Sequence, residues 1–257
     1  LTGVTKFSQV SVFSGFNQPA DISLDGRYEA LCGITEEELY HVFADAIERL
    51  GIKYKYTLEQ IKEKLKKQYD GYHFSDELTD IYNPFSILNV FDSNRIADYW
   101  FSTGTPTYLI RLLTHTQENL NELTGKYYDP SQFIDYKADV EMPLPMIYQS
   151  GYLTIKDCDL DMGTFLLDFP NDEVKKGFVT LVANNYLQSE KDSGSWARDI
   201  VGALKTGDLE QVRKLLTSFL ADIPYSMRRK ETERERERYF HYTFYLLMRM
   251  VSCYTVY

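Results

Sequence analysis

The chain has 257 residues, is 44% apolar and carries a formal net charge of −10. That size allows a substantial buried core in one large domain or two smaller ones, while the acidic balance opposes broad binding to phosphate backbones and leaves only local basic clusters to do so. Three scattered cysteines, Cys32, Cys158 and Cys253, give neither a disulfide framework nor a metal-ligand spacing, which fits a reducing cytoplasm, and the uncharged run Tyr239 to Met248 is too short to cross a bilayer, so membrane and secretion readings fall.

In chain order, "LTGVTKF" reads as a buried strand. A strand needs neighbours for its backbone donors and acceptors, and no run of similar character follows within the next hundred residues. The stretch is therefore expected to be the edge of a larger sheet. "ITEEELYHVFADAIERLG" predicts one helix, with a capping box from Thr35 and Glu38, an inner face of Leu39, Val42, Phe43, Ala46, Ile47 and Leu50, and Gly51 as its end. "TLEQIKEKLKKQY" predicts a second, capped by Thr57 with Gln60 and packed through Leu58, Ile61, Leu65 and Tyr69. Its lysines Lys62, Lys64, Lys66 and Lys67 read as a solvated face in preference to a phosphate grip. Asn83 with Pro84, and Thr105 with Pro106, mark two more helix starts, because proline at the first helical position loses no hydrogen bond.

From about residue 145 the pattern becomes helix, strand, returning strand, helix: "PLPMIYQSGYLTI", "GTFLLDF", then "NDEVKKGFVTLVANNYL" capped by Asn171. This order resembles the end of a winged-helix unit. "GDLEQVRKLLTSFLADIP" predicts a helix capped by Asp208 with Leu209, Val212, Leu216, Phe219 and Ile223 inward. In the final segment the alternating charges before Tyr239 read as an exposed lead-in, Phe240, Phe244, Leu247 and Val251 as a core face, and "CYTVY" as a second strand without a partner. Both ends of the chain are expected to be severed edges. The fold class is mainly α with small β elements (α+β).

Chemistry is sparse in the sequence. It contains no Gly-x-x-x-x-Gly-Lys loop for nucleoside triphosphates and no Gly-x-Ser-x-Gly elbow, and His41, His73, His115 and His241 are dispersed and read as structural. "FPNDEVKK" holds Asp172 and Glu173-Val174-Lys175, like the Mg²⁺-holding acids of metal-dependent nucleases. Here they fall in one helical turn after an N-cap, where acids favour the helix dipole. "DCDLDMGTFLLD" places Asp157, Asp159 and Asp161 at alternate positions with Asp168 twelfth, like a Ca²⁺ loop, but Gly163 comes one place late and strands flank it, so an acidic hairpin tip is expected.

The landmarks "LTGVTKFSQVSVFSGFNQPADISLDGRYEALCGITEEEL", "YDGYHFS", "IYNPFSILNVF", "YWFSTGTPTYL", "YQSGYLTI", "LDFPNDEVKKGF" and "YFHYTFYLLMRMVSCYTVY" resemble, in order, those of bacterial AAA-ATPase-like proteins fused to a C-terminal PD-(D/E)XK-type nuclease domain. The resemblance spans nearly the whole chain and implies four segments: 1–33, the C-terminal edge of the ATPase core; 34–125, a helical lid; 126–232, a winged-helix-like and helical connector; and 233–257, the start of the nuclease domain. It places Thr2 and Thr5 at cofactor-binding, sensor-like positions facing a nucleotide, and matches Glu235 or Glu237 to an acid on the first nuclease helix. It also implies ATP and Mg²⁺ as cofactors of the intact protein but none in this chain, the remainder of its own polypeptide as partner, nucleic acid as a ligand of the intact protein, and no catalytic or metal-ligating residue here. The alternative is a non-enzymatic binding module for a protein or nucleic-acid partner.

Overall fold

The computed structural model describes residues 21–100, 123–134, 143–187, 193–222 and 233–253. Thr2 and Thr5, the predicted "LTGVTKF" strand, the helix start at Thr105 and Pro106, and residues 254–257 of the predicted last strand lie outside the described residues. The expected class holds: the chain is mostly helical with a few short antiparallel strands. It divides into two compact units, Leu1–Lys175 and Lys176–Tyr257.

Unit 1 begins with a 3-10 turn, Gly26–Tyr28, and a two-residue strand β1, Ile34–Thr35. Helix α1, Glu36–Val42, starts at the expected capping box: Thr35 Oγ1 accepts from the Glu38 N–H while Glu38 Oε2 accepts from the Thr35 N–H at 2.9 Å. The single helix predicted across this region is in fact two. The chain bends at Phe43, and α2, Ala44–Tyr54, continues in a new direction through Gly51 and ends at Lys55 in the left-handed region (φ 56°). The bend turns Val42 out to solvent, 66% exposed, and brings Ala46, Ile47 and Leu50 inward. Gly51 lies inside α2 rather than after it, where a Cβ would stand 3.2 Å from the Tyr56 carbonyl; it serves close approach rather than termination.

Helix α3, Leu58–Tyr69, has the Thr57–Gln60 capping box and buries Ile61, Leu65 and Tyr69 as expected, although Leu58 at its first turn is half exposed. Strand β2, Ile81–Tyr82, pairs antiparallel with β1, and α4, Pro84–Ser93, is capped by Asn83, whose Oδ1 accepts from Phe85 and Ser86 N–H groups. Leu39, Ile47, Leu50, Ile61, Leu65, Tyr69, Tyr82, Ile87 and Val90 close on one another as the core of these elements. Each of these side chains is essentially removed from water, and full burial of an aliphatic or aromatic side chain contributes about 1.5–3 kcal/mol.

A three-stranded antiparallel sheet follows in the order β3-β5-β4, from β3 (Lys126–Tyr128), β4 (Thr154–Asp159) and β5 (Thr164–Asp168). The short helices α5, Pro130–Phe133, and α6, Leu144–Gln149, lie between β3 and β4 in the chain. The helix, hairpin and helix read from the sequence are all present, and β3 adds a third strand that its three residues were too short to announce. Helix α7, Asp172–Leu187, opens in unit 1 with Asn171 as N-cap, its Oδ1 accepting from the Val174 N–H.

Unit 2 takes the remainder of α7 with α8 (Ser193–Thr206), α9 (Leu209–Asp222) and α10 (Glu233–Ser252). Asp208 caps α9 as expected, accepting from the Gln211 N–H. Trp196 packs on Phe219 at 4.8 Å between ring centres, and its indole N–H donates to the Leu215 carbonyl. Two faces differ from the sequence reading. Leu209, in the first turn of α9, is exposed, and the core of α9 centres on Phe219. On α10 the buried stripe is Tyr239, Thr243, Leu246, Leu247, Met250 and Val251, with Tyr186 stacked on Tyr239, whereas Phe240 and Phe244 face solvent. Cys253 follows α10 in a turn rather than opening a strand.

Gly33 stands directly before β1, and a Cβ there would lie 1.9 Å from Cγ2 of the buried Ile81. Gly33→Ala is expected to lower the unfolding free energy by about 1–3 kcal/mol, as overpacking does. Urea unfolding checks this, and an unchanged midpoint would show that the β1–β2 pair has room to spare.

Candidate functional site

The polar chemistry of unit 1 gathers where α3 ends and α7 begins. Glu173, in the first turn of α7, is completely buried. Its carboxylate accepts from Ser86 Oγ on α4 at 2.7 Å, from the Trp100 N–H at 3.0 Å and from the Tyr99 N–H. Burial raises the Glu173 carboxyl, and the donors from Ser86, Trp100 and Tyr99 offset only part of that. The placement in a first helical turn agrees with the sequence; the role does not. An acid that simply favours the helix dipole was expected there, and the structure also makes it a buried tie between three parts of the chain.

Neighbouring backbone is pinned in the same way. Asn171 Nδ2 donates to the Asp70 carbonyl at 3.0 Å, and Lys156 Nζ donates to the carbonyls of Gly71 at 2.7 Å and Pro170 at 2.9 Å. Burial lowers the Lys156 ammonium, with Asp80, Asp70 and Asp168 opposing. Gly71 is obligatory: its φ is 87°, and a Cβ would meet Pro170 O at 2.6 Å and Lys156 Nζ at 2.8 Å. The segment 95–100 hangs from two tyrosine hydroxyls. Tyr69 donates to the Ala97 carbonyl and accepts from its N–H, and Tyr54 accepts from the Ile96 N–H.

Beside these pins lies a cluster of charges. Lys66 Nζ is 3.0 Å from Asp80 Oδ2, 3.6 Å from Glu36 Oε1 and 3.8 Å from Asp70 Oδ2. The hydrogen bond to Asp80 raises the Lys66 ammonium. Burial alone would raise the Asp80 carboxyl, but hydrogen bonds from His73 and Lys66 together hold it below its ordinary range. Three carboxylates thus converge on an ammonium that the chain itself supplies. Lys62 instead lies over the Tyr40 ring at 4.3 Å, and Lys67 reaches Asp172 at 3.7 Å, so only part of the lysine run is the plain solvated face expected.

Asp70 is the anomaly. Its side chain is 2% exposed, and neither carboxylate oxygen has a hydrogen-bond partner. Burial pushes the carboxyl up to about 6; the nearby Gly71 N–H favours the charged form without the alignment of a hydrogen bond, Asp80 and Glu36 repel, and Lys66 attracts from the edge of pairing distance. It also sits at the C-terminal end of α3, where the helix dipole disfavours negative charge. That acid at a helix C-terminus, followed by glycine, was the signal in "YDGYHFS" that sequence reasoning passed over.

The other candidates are placed as follows. Asp157 accepts from Tyr127 Oη at 2.6 Å, and Asp159 Oδ1 accepts from the N–H groups of Asp161 and Met162 in the β4–β5 turn. Asp168 faces Thr154 at the opposite end of the hairpin from the Asp159–Thr164 pair, so the four aspartates do not converge on one point. Among the described residues no group of three or more His, Cys, Asp or Glu side chains is arranged to hold a metal ion, and no helix is long and apolar enough to cross a membrane. Glu237 on α10 is exposed. Cys32, Cys158 and Cys253 are free thiols.

No family model matches the sequence, and no solved structure matches it. A curated relative from Azotobacter chroococcum mcd 1, described as "Uncharacterized protein in vnfD 5'region", is 32% identical over 247 residues, covering 95% of this chain and 46% of that protein. The chain therefore spans about half the length of the relative it matches.

Asp70 generates a prediction with a definite sign. Its carboxyl in the fold is raised above the ordinary 3.8, so ionisation costs stability. The burden is full above pH about 6 and fades as the pH falls from there toward 3.8. Asp70→Asn is expected to raise the unfolding free energy at neutral pH by at most about 3 kcal/mol, and to flatten the stability profile across that acidic window. Urea unfolding at a series of pH values reads both. A destabilised variant at neutral pH would show instead that the charge is needed for folding.

Proposed function

We propose that this chain is the helical lid and connector of a longer, cytoplasmic, ATP-binding AAA-ATPase-like protein with a C-terminal PD-(D/E)XK-type nuclease domain, and that it relays conformational change without performing chemistry itself. The observation that carries the reading is the Glu173 tie. One buried carboxylate joins the start of α7 to α4 and to the backbone at Tyr99 and Trp100, so these three parts of unit 1 are tied to one another. A relay needs such discrete, packed arrangements, because soft connections lose the signal. The relative of about twice this length, matched along nearly the whole chain, supports a segment that recurs within a larger polypeptide.

In this reading the partner of the chain is the rest of its own polypeptide. ATP and Mg²⁺ belong to the intact protein, with Thr2 and Thr5 at the sensor-like positions, and nucleic acid is a ligand of the intact protein's nuclease domain. The α6-β4-β5-α7 order, with β3 at the sheet edge, serves as the winged-helix-like connector, and α10 as the first nuclease helix, with Glu235 or Glu237 at its acidic position.

The β4–β5 turn favours a second reading, a non-enzymatic binding module. Leu160 and Met162 are 76% and 72% exposed there beside Asp159 and Asp161. An apolar tip set among acids suits a basic protein partner and repels phosphate backbones.

Single-turnover assays separate these readings from an enzyme. The chain is expected to give no product above buffer with ATP and Mg²⁺ or with DNA and Mn²⁺, and clear turnover of either overturns the relay. Duplex binding that falls steeply with salt would overturn the acidic-tip reading as well.

A further inference from the structure

Lys66 Nζ stands between two unequal carboxylates. Asp80 Oδ2 is 3.0 Å away on a side chain that is 38% exposed, whereas Asp70 Oδ2 is 3.8 Å away on a side chain that is 2% exposed and whose two oxygens accept no hydrogen bond. The ammonium is thus closest to the acid that needs it less. Water reaches Asp80, and His73 Nε2 lies 2.8 Å from its other oxygen. A charged Asp70 has neither water nor donor, and the attraction between unit charges grows as water is excluded from around them. An ionised Asp70 therefore outcompetes Asp80 for Lys66. The observed spacing, with the ammonium on Asp80, suits an Asp70 that carries its proton, because a buried hydroxyl without a partner costs far less than a buried charge without one.

We propose that Asp70 is a proton-operated switch for Lys66: with the proton on, Lys66 ties α3 to Asp80 of the 70–82 segment, and with the proton off, the ammonium swings to Asp70 and the tie to Asp80 is released. The movement asks nothing of the backbone. Lys66 precedes Asp70 by four residues at the end of α3, where side chains at i and i+4 are neighbours, and its side chain is 46% exposed, so rotation of the lysine stem alone closes the gap.

The charged and titratable groups around Asp70 leave this task to Lys66. They are Lys66 on α3, Glu36 on α1, Tyr82 on β2 with Tyr40 of α1 beside it, Asp80 and through it His73 on the 70–82 segment, and Lys156 on β4. Lys156 is held by the carbonyls of Gly71 and Pro170, and burial keeps the proton on the Tyr82 hydroxyl. Burial, with Asp80 and Glu36 repelling, puts the Asp70 carboxyl at about 6. Below that pH Lys66 belongs to Asp80, and above it to Asp70. The ammonium stays charged in both states, since its bond to Asp80 raises it further from an already high range.

Carbon-13 NMR of the chain labelled in its aspartate and lysine side chains tests this. Asp70 Cγ and Lys66 Cε are assigned by their loss in Asp70→Asn and Lys66→Arg, and Asp80 Cγ by its loss in Asp80→Asn. Asp70 Cγ is expected to titrate with a midpoint of about pH 6, and Lys66 Cε and Asp80 Cγ are each expected to show a step at the same midpoint although neither group changes its own proton count there. In Asp70→Asn, which offers the ammonium no new charge, the Lys66 step should vanish. An Asp70 that titrates with free aspartate, a Lys66 or Asp80 signal without a step at the Asp70 midpoint, or a Lys66 step that survives in Asp70→Asn overturns the switch. Should Asp70→Asn fail to fold, the unaltered chain decides: coincident Asp70 and Lys66 midpoints support the switch and separate ones overturn it.

Discussion

The constraint on which unit 1 depends is the burial of the Glu173 carboxylate. An acid removed from water is tolerated only where donors replace its hydration, and here those donors come from Ser86 on α4 and from the backbone at Tyr99 and Trp100. Because the partners lie 73 to 87 residues earlier in the chain, the bond network fixes the start of α7 against elements that local sequence preferences cannot address. Asn171 and Lys156 extend the arrangement by holding the carbonyls of residues 70, 71 and 170, so that the end of α3 and the start of α7 share one set of polar contacts. The apolar core around Leu50, Ile61 and Tyr82 supplies cohesion, and the polar contacts specify which elements meet.

Two buried carboxylates of the same unit stand in contrast. Glu173 has its donors; Asp70 has none. A charge that costs stability and receives no hydrogen bond is what surplus stability would be spent on only where a site requires it, and perturbed acids concentrate at working parts of proteins. Asp70 also lies one residue from Gly71 and three from His73, in the segment whose contacts with β4 join the hairpin to the helical core. Asp70, His73, Asp80 and Lys156 are therefore grouped where the 70–82 segment meets β4.

Much of the helical framework was legible because its signals are local. Thr35 and Thr57 are read as caps from Glu38 and Gln60 three positions on, Asn83 from the proline that follows it, and Asn171 and Asp208 from the helical patterns they precede; all five cap their helices. What depends on tertiary context was not legible. The bend at Phe43 interrupts a pattern that periodicity alone continues, and the buried stripe of α10 runs through Tyr239 and Thr243 rather than Phe240 and Phe244. Strand β3 is too short to have a period. The site was partly visible: "YDGYHFS" and "FPNDEVKK" stood out as stretches, yet the roles of Asp70, His73 and Glu173 come from partners far along the chain.

The most direct measurement of the central claim is a double-mutant cycle between Glu173 and Ser86, read by urea unfolding of Glu173→Gln, Ser86→Ala and the two combined. A working tie predicts a coupling energy of about 1–3 kcal/mol between the substitutions, whereas effects that add to within about 0.5 kcal/mol would show that the carboxylate does not hold α4 and α7 together.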